Sequence, residues 1–323
     1  MVFFSVNLGY FTMPGPMIGV FCTLSAVAFG LVAGVIIKVL SDDLSLLTTL
    51  FYRFLFCLPL ILGVALWARG GDFLKLQQKK TMLFRIVFGL AGILLWFLAL
   101  RNISLGQATA LFQSSVLFVT LASPLVLSER VGPFRMGAVL VGMVGIVLLT
   151  DPFSAPLTTG ILYAVAGAVV HAGLSLSLRR LGKRDEPVTI ALLHNLAGFV
   201  VWSSCFLLFP DQWQVPVGQQ WILLIALGVI SSLLQLSFTF AYKFSDAVVV
   251  VTLRYLQVPS AGILGFVLFS EVPTFAQVGG ATIVVTSCMF IVWREFVISR
   301  KQHDSNLRKQ EGRAYDNSSN GRN

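Results

Sequence analysis

Charged residues are scarce in this chain. Only 11% of its 323 residues are Asp, Glu, Lys or Arg, whereas 56% are hydrophobic, and the mean hydropathy is +0.85. A soluble domain of this size carries about 25% charged residues. The composition therefore excludes an ordinary water-soluble protein and indicates a chain that lies mostly in a membrane.

Motifs for metal, nucleotide or nucleophilic chemistry are lacking as well. The four cysteines, Cys22, Cys57, Cys205 and Cys288, all lie in apolar stretches, and no two have the spacing of a metal site. The sequence contains no nucleotide-binding loop or nucleophile motif. We therefore expect free thiols, no metal, no cofactor and no enzymatic activity.

Long apolar runs, by contrast, are abundant. Ten of them approach the roughly 20 residues that a helix needs to cross a bilayer: 17–40, 46–67, 82–100, 105–127, 133–150, 157–178, 188–209, 220–241, 247–269 and 273–294. Their uniform character predicts helices, because the strands of membrane barrels alternate in polarity. The predicted fold is an all-α integral membrane protein with ten transmembrane helices, numbered here as spans 1 to 10.

Basic residues are distributed unevenly between the two ends of these spans. We assign twelve Lys and Arg to the four connections on the N-terminal side, counting Arg85 in the connection after span 2, and only Lys38 and Arg101 to the opposite side. The positive-inside rule then predicts a multi-pass protein of the inner (cytoplasmic) membrane with both termini in the cytoplasm. Residues 1–16 are predicted to be a cytoplasmic segment that precedes a retained first span, and residues 295–323 a disordered cytoplasmic tail. The net charge of +9 is thus explained by topology, and we expect no nucleic-acid partner.

The two halves of the chain repeat each other at an offset of 142 residues. The segment 99–104 then aligns with 241–246, and the Ser-Glu pair that ends in Glu129 coincides with the pair that ends in Glu271. Each repeat, 17–150 and 157–294, holds five spans, and since five is odd the second repeat enters the membrane inverted. Such inverted repeats are frequent in secondary transporters, although a channel can share the plan. We interpret Glu129 and Glu271 as structural residues at helix ends that cap the N-termini of spans 5 and 10.

These paired segments resemble those of the ten-helix, EamA-type members of the drug/metabolite transporter superfamily. The segment RYLQVPSAGILGFVLFSEVP (254–273) carries the likeness best. The resemblance implies transport of a small metabolite by alternating access, without choosing the metabolite. It also implies a proline-kinked span 9 through Pro259, whereas the equivalent Leu117 predicts a weaker kink in span 4.

Polar residues inside the spans are the candidates for substrate binding, because charged groups in a membrane are costly and are usually functional or paired. The candidates are Arg254, Tyr255, Gln257, Arg53, Tyr52, Gln113, His171, His194, Asn195, Gln235 and Trp96. We expect two polar layers around a central cavity, with Arg53 and Gln113 in the outer one. His171, His194 and Arg254 would form the inner one. The alternatives are that each Arg extends to lipid phosphate and that each His donates to a neighbouring carbonyl.

The sign of the buried charge indicates the class of substrate. Two Arg residues and no intramembrane acid favour a carboxylate or phosphate, which a guanidinium holds in a bidentate pair. We therefore predict a transporter of an anionic or zwitterionic metabolite, such as an amino acid or another carboxylated compound, with Arg254 as the main contact because no acid is there to pair with it. A flavin-like or nucleotide-like metabolite with aromatic contacts also fits. The alternatives are a multidrug-type exporter of apolar or cationic compounds, which needs a buried carboxylate, and a membrane protein that does not transport.

Overall fold

The computed structural model describes residues 15–127, 132–150, 158–181, 185–245 and 247–294, together with Val297. Twelve α-helices lie in these ranges, and none of the described residues forms a strand. The helices are α1 (Gly15–Asp43), α2 (Leu46–Arg69), α3 (Lys79–Asn102), α4 (Leu105–Gln113), α5 (Ser115–Leu127), α6 (Pro133–Thr150), α7 (Thr159–Leu181), α8 (Pro187–Leu208), α9 (Gln219–Phe244), α10 (Ala247–Arg254), α11 (Gln257–Phe269) and α12 (Phe275–Arg294).

The ten predicted spans correspond to these helices in order. Spans 1 to 3 are α1 to α3, span 4 is α4 with α5, spans 5 to 8 are α6 to α9, span 9 is α10 with α11, and span 10 is α12. Each helix boundary lies within three residues of its predicted position. By length and composition, eight of the helical stretches can cross a membrane, and shorter apolar helices occupy spans 5 and 9. The predicted fold class is confirmed.

The helices pack in the exchanged pairs that an inverted repeat requires. Helix α3 packs along α7, and α1 packs along α9. These two contacts are equivalent, because the repeat relates α1 to α7 and α3 to α9. Helix α4 in span 4 lies against α11 in span 9, which is the equivalent span of the second repeat. Their backbones approach closely at two glycines, since a Cβ added to Gly106 would lie 3.0 Å from the Cα of Gly262. The repeats therefore interlock through spans from both halves.

Spans 4 and 9 are both interrupted, and at equivalent positions. Helix α4 ends just before Ser114, and a turn at Tyr255 and Leu256 separates α10 from α11, so the offset of 142 relates the two breaks. In span 9, Pro259 cannot donate to the carbonyl four residues back. In span 4 the backbone N–H of Leu117 donates instead to Ser114 O, at 2.9 Å. Span 4 is therefore interrupted without a proline, and the weaker kink expected there stays a prediction.

Glu271 caps a helix, but a different one from the one predicted. Its carboxylate accepts the N–H of Leu105 at 2.8 Å, at the start of α4, and forms an ion pair with Lys38. The start of α12 is capped by its own residues, since the N–H of Gln277 donates to Thr274 Oγ1 and the N–H of Thr274 donates to Gln277 Oε1, both at 3.2 Å. The prediction that Glu271 caps span 10 is therefore wrong. Glu129 lies outside the described residues.

Arg85 also differs from its predicted position. Helix α3 begins at Lys79, so Arg85 lies inside span 3 and not in the connection before it. Its side chain is only 8% exposed. The assignment of Arg85 to a cytoplasmic connection is wrong, because the helix begins six residues before Arg85 and buries its side chain.

Hydrogen bonds hold two equivalent connections in place, the one between spans 2 and 3 and the one between spans 7 and 8. Before α3, the N–H groups of Gln77 and Gln78 donate to the Asp185 carboxylate, at 2.7 and 3.2 Å, next to the start of α8. After α8, the Gln214 side chain accepts from the N–H of Ser45, at 2.6 Å, next to the start of α2. Each repeat thus fastens one connection onto the first turn of the other repeat's second span.

Candidate substrate-binding site

The two helix breaks meet at Gln113 and Arg254. Gln113, the last residue of α4, donates from Nε2 to Arg254 O at 3.0 Å, a carbonyl at the end of α10 that the break leaves without a helical partner. In return, Arg254 Nη2 donates to Gln113 Oε1 at 3.3 Å. The guanidinium also lies 4.6 Å from the ring centroid of Phe238, a cation–π arrangement. The predicted outer and inner layers are therefore joined here.

Next to this junction, His171 of α7 faces the start of α5. Its Nδ1 lies 3.2 Å from Ser115 Oγ, and its ring meets Phe112 edge-on with the centroids 5.2 Å apart. Phe112 in turn contacts Trp96 edge-on at 5.0 Å. The structure thus brings His171 and Trp96 to the break in span 4, where His171 bonds a hydroxyl and not a backbone carbonyl.

The equivalent place in the second repeat is occupied differently. Gln257, the first residue of α11, lies against Gly30 of α1, where an added Cβ would be 3.0 Å from its Nε2. Gly30 in span 1 therefore leaves room for the Gln257 side chain, whereas the equivalent span 6 places His171 against Ser115. Tyr255 is only 4% exposed and belongs to the apolar core. This burial favours a packing role for Tyr255.

Two further guanidinium groups approach His194 from different helices. Arg53 and Arg85 are each 8% exposed and His194 is 2% exposed. Arg85 reaches His194 across Gly89, where an added Cβ would overlap Arg85 Nη1 and lie 2.7 Å from His194 Cε1. Arg53 lies 4.6 Å from the ring centroid of Phe54, and that ring meets His194 edge-on at 6.1 Å. His194 therefore lies next to Arg85 and, through the Phe54 ring, close to Arg53.

Several polar atoms in this group have no hydrogen-bond partner among the described residues. They are Arg53 Nη1, Arg85 Nε, Arg85 Nη1 and His194 Nδ1, all inaccessible to solvent. More than nine in ten buried polar groups in proteins are paired, so four such atoms in one place are unusual. Sequence reasoning found Arg53 and His194 but assigned Arg85 to a connection, although Arg85 stands within the apolar run 82–100 that marked span 3.

Three guanidinium groups, those of Arg53, Arg85 and Arg254, lie with the imidazoles of His171 and His194 in one group that we call the cationic centre. Arg85 lies within electrostatic reach of both histidines, Arg254 of His171, and Arg53 of His194. All described carboxylates lie at helix ends or in connections: Asp42, Asp43, Asp72, Asp185, Glu186, Asp211 and Glu271. Over the described ranges, the interior of the spans thus holds positive charge without an acid to balance it.

A neutral polar network borders the centre. Asn195 Nδ2 donates to Gln235 Oε1 at 2.9 Å, Asn195 Oδ1 accepts from the Cys57 thiol at 3.1 Å, and Ser232 Oγ lies 3.0 Å from the same sulfur. Its members bond one another across spans 2, 7 and 8, so the network holds these three spans together beside the cationic centre. It brings together Asn195 and Gln235, as their common depth predicted.

Tyr52 belongs to an aromatic cluster beside Arg53. Its ring lies 5.3 Å from Trp213, 5.1 Å from Trp221 and 5.7 Å from Phe56, measured between centroids. Trp213 lies in the connection that Gln214 fastens to the start of α2. The aromatic side chains therefore cover the end of span 2 that lies next to the cationic centre.

Inverted five-helix repeats that meet at interrupted helices, with polar groups at the breaks, define the class of secondary transporters. The chain belongs to the EamA-like transporter family, whose model matches residues 17–151 and 158–293. This confirms the resemblance drawn from the sequence and identifies a small-metabolite transporter.

Characterised relatives carry different substrates. The chain is 33% identical to a riboflavin transporter of Vibrio cholerae, over 72% of this chain and 77% of the relative. It is 30% identical to the pseudopaline exporter CntI of Pseudomonas aeruginosa, over 69% and 78%. An S-adenosylmethionine uptake transporter of Rickettsia felis is 24% identical over 83% and 90%. A solved crystal structure with 22% identity shares the fold, with a TM-score of 0.59 over 84% of this chain and 96% of that one.

Proposed function

We propose that this chain is a secondary transporter of a small metabolite that carries an anionic group, either as an anion or as a zwitterion. It works by alternating access in the cytoplasmic membrane, with both termini in the cytoplasm and without a catalytic step. The observation that carries the proposal is the cationic centre, in which Arg53 and Arg85 are buried with donor atoms that no described residue satisfies.

The physical reason is the cost of an uncompensated charge. A guanidinium remains protonated at any physiological pH, and a buried charge whose partner is missing destabilises a protein by about 3–5 kcal/mol. A substrate carboxylate would restore the balance, since each hydrogen bond to a charged group contributes about 1.5–3 kcal/mol. The centre is therefore suited to an anion during part of the transport cycle.

Arg254 and Gln113 are proposed to contact the substrate at the helix breaks. Unwound backbone in a membrane persists where it lines a cavity or is buried in protein, and transporters place substrates at such breaks. The hydrogen bonds between Gln113 and Arg254 tie span 4 of one repeat to span 9 of the other. A substrate bound there contacts both repeats at once.

The relatives support an organic substrate, because their names specify riboflavin, pseudopaline and S-adenosylmethionine. An exporter of apolar cations would need a carboxylate in the interior, and the described parts of the spans hold none. The charge of the centre thus favours the anionic or zwitterionic substrate over the cationic one.

Flux into proteoliposomes tests this proposal. Vesicles that contain the purified protein are incubated with a defined metabolite mixture, and their contents are measured by mass spectrometry. We expect anionic or zwitterionic compounds to accumulate, Arg254→Gln to lower that flux at least about tenfold, and Arg254→Lys to lower it less, since Lys keeps the charge but loses the planar fork.

The matched control is Arg294→Gln. Arg294 lies over the Phe134 ring, 4.6 Å from its centroid, at the contact between α6 and α12, away from the cationic centre. Its flux should equal that of the unmodified protein. Normal flux through a folded Arg254→Gln variant, or accumulation of cations alone, would contradict the proposal.

A further inference from the structure

We infer, building on the proposed function, that the transported metabolite is an organic dianion and that Arg85 holds one of its two anionic groups. The proposal above requires only one anionic group and names Arg254 as its contact. The number and placement of the guanidinium groups specify more.

The first argument is a count of charges. Arg53, Arg85 and Arg254 bring three permanent positive charges into one centre, and no described carboxylate lies inside the spans. A ligand with a single negative charge leaves two of them unbalanced. A ligand with two negative charges leaves only one of them unbalanced.

The second argument is the contrast with Lys38. That ammonium group is 17% exposed, which is more than either Arg53 or Arg85, and yet it is paired with Glu271 and donates to Ile103 O at 2.9 Å. For Lys38, whose contacts serve the packing of the spans, this chain supplies an acid. The more deeply buried Arg53 and Arg85 lack one, so their counter-charge must come from outside the described chain.

The third argument is that the donors occupy two positions. Arg85 and Arg53 both lie near His194, and both have unsatisfied donor atoms. Arg254 lies instead at the helix breaks and within electrostatic reach of His171. We assign one anionic group to each position. Two such groups joined by a short carbon skeleton describe a dicarboxylate and not a phosphate monoester.

Gly89 provides a reason for the position of Arg85. A side chain at residue 89 would occupy the space in which the guanidinium crosses towards His194. The glycine therefore lets a long side chain from α3 reach α8, so that two spans of different repeats present donors to the same anionic group.

The test is a binding series with probes that differ only in charge. The purified full-length protein in lipid nanodiscs is heated with succinate, glutarate or adipate, with the corresponding monoamides, and with the diamides, all at one ionic strength. Glycerol 3-phosphate serves as the phosphate probe. The rise in unfolding temperature gives the affinity, because a ligand stabilises the folded state in proportion to the logarithm of its concentration over its dissociation constant.

We expect at least one dicarboxylate to bind at least about tenfold more tightly than its monoamide, and the diamide to bind weakest. Arg85→Gln should abolish the difference between dicarboxylate and monoamide, Arg85→Lys should keep it at lower affinity, and Arg294→Gln should leave it unchanged. The series on the unmodified protein tests the charge of the ligand even where Arg85→Gln does not fold.

Equal binding of monoamide and dicarboxylate overturns the inference and leaves the proposed function standing. Binding of glycerol 3-phosphate without any dicarboxylate overturns the arrangement in two positions. An absence of stabilisation by every probe also overturns the inference, and the flux experiment then decides the proposed function by itself.

Discussion

Replacing Glu271 with Gln removes a charge from an ion pair that joins the two repeats. Glu271 follows α11 in the second repeat, and its carboxylate meets the Lys38 ammonium of α1 and the N–H of Leu105 at the start of α4, both in the first repeat. The Lys38 and Glu271 side chains are each 17% exposed. The substitution keeps the shape of the side chain and one oxygen acceptor, so that mainly the charge is lost.

The structure sets the size of the effect. Removing one partner of a fully buried pair costs about 3–5 kcal/mol, whereas an exposed pair contributes about 0–1 kcal/mol. A pair that is one-sixth exposed lies between these limits, and Lys38 keeps its bond to Ile103 O and its position 5.5 Å from the Phe269 ring centroid. The loss of charge at the start of α4 adds about 0.5 kcal/mol. We expect Glu271→Gln to lower the free energy of unfolding by about 2–3 kcal/mol.

A double-mutant cycle isolates the pair. The free energy of unfolding in mixed micelles is measured for Glu271→Gln, Lys38→Gln and the double variant, and we expect a coupling energy of about 1 kcal/mol or more. The exposed pair of Asp72 and Lys75, at 2.8 Å, is the control and should give no measurable coupling energy. A similarly small value for Lys38 and Glu271 would refute the reasoning that this contact holds the repeats together.

Three further predictions concern the centre, the breaks and the topology. Gly89→Ala should lower flux at least about tenfold and lower stability by about 1–3 kcal/mol through overpacking. The control is Gly63→Ala, where an added Cβ meets nothing within 4 Å, and this variant should preserve flux. Equal flux in both variants would show that the space at residue 89 is not needed. Gln113→Leu should cost about 1–3 kcal/mol of unfolding free energy by leaving a buried carbonyl unsatisfied, and an unchanged melting temperature would contradict this. In intact cells, a membrane-impermeant thiol reagent should label Val217→Cys and not Lys75→Cys, both side chains being exposed, and the reverse pattern would invert the proposed orientation.

The spans were predictable from the sequence because their lengths and apolar character are imposed by the bilayer. Prolines at residues 133 and 187 mark the first residues of α6 and α8, where the missing N–H is tolerated. The break in span 4 was harder, since Ser114 is followed by no proline until Pro124. The repeat contained the signal: an interruption near the proline of span 9 projects onto Ser114 at the offset of 142.

Other parts of the site depend on contacts that a linear reading does not contain. Glu271 was expected to cap the helix that follows it, but the N–H it accepts belongs to Leu105, 166 residues away. Arg85 was counted as a topological charge because basic residues gather where spans begin. Only the position of Gly89, one helical turn later, lets the Arg85 side chain turn inwards to His194.

The inverted symmetry also gives the centre a place in the transport cycle. The symmetry exchanges the contact of α2 with α9 for the contact of α8 with α3, yet α2 packs against α9 much more extensively than α3 packs against α8. In an inverted-repeat transporter, each repeat adopts in the opposite state the arrangement that its partner shows now, so α3 and α8 are the pair that should approach during the cycle. They are also the helices that carry Arg85 and His194. An anion bound between them would balance the charge of the Arg85 guanidinium and favour their approach, which links occupancy of the site to the change of access.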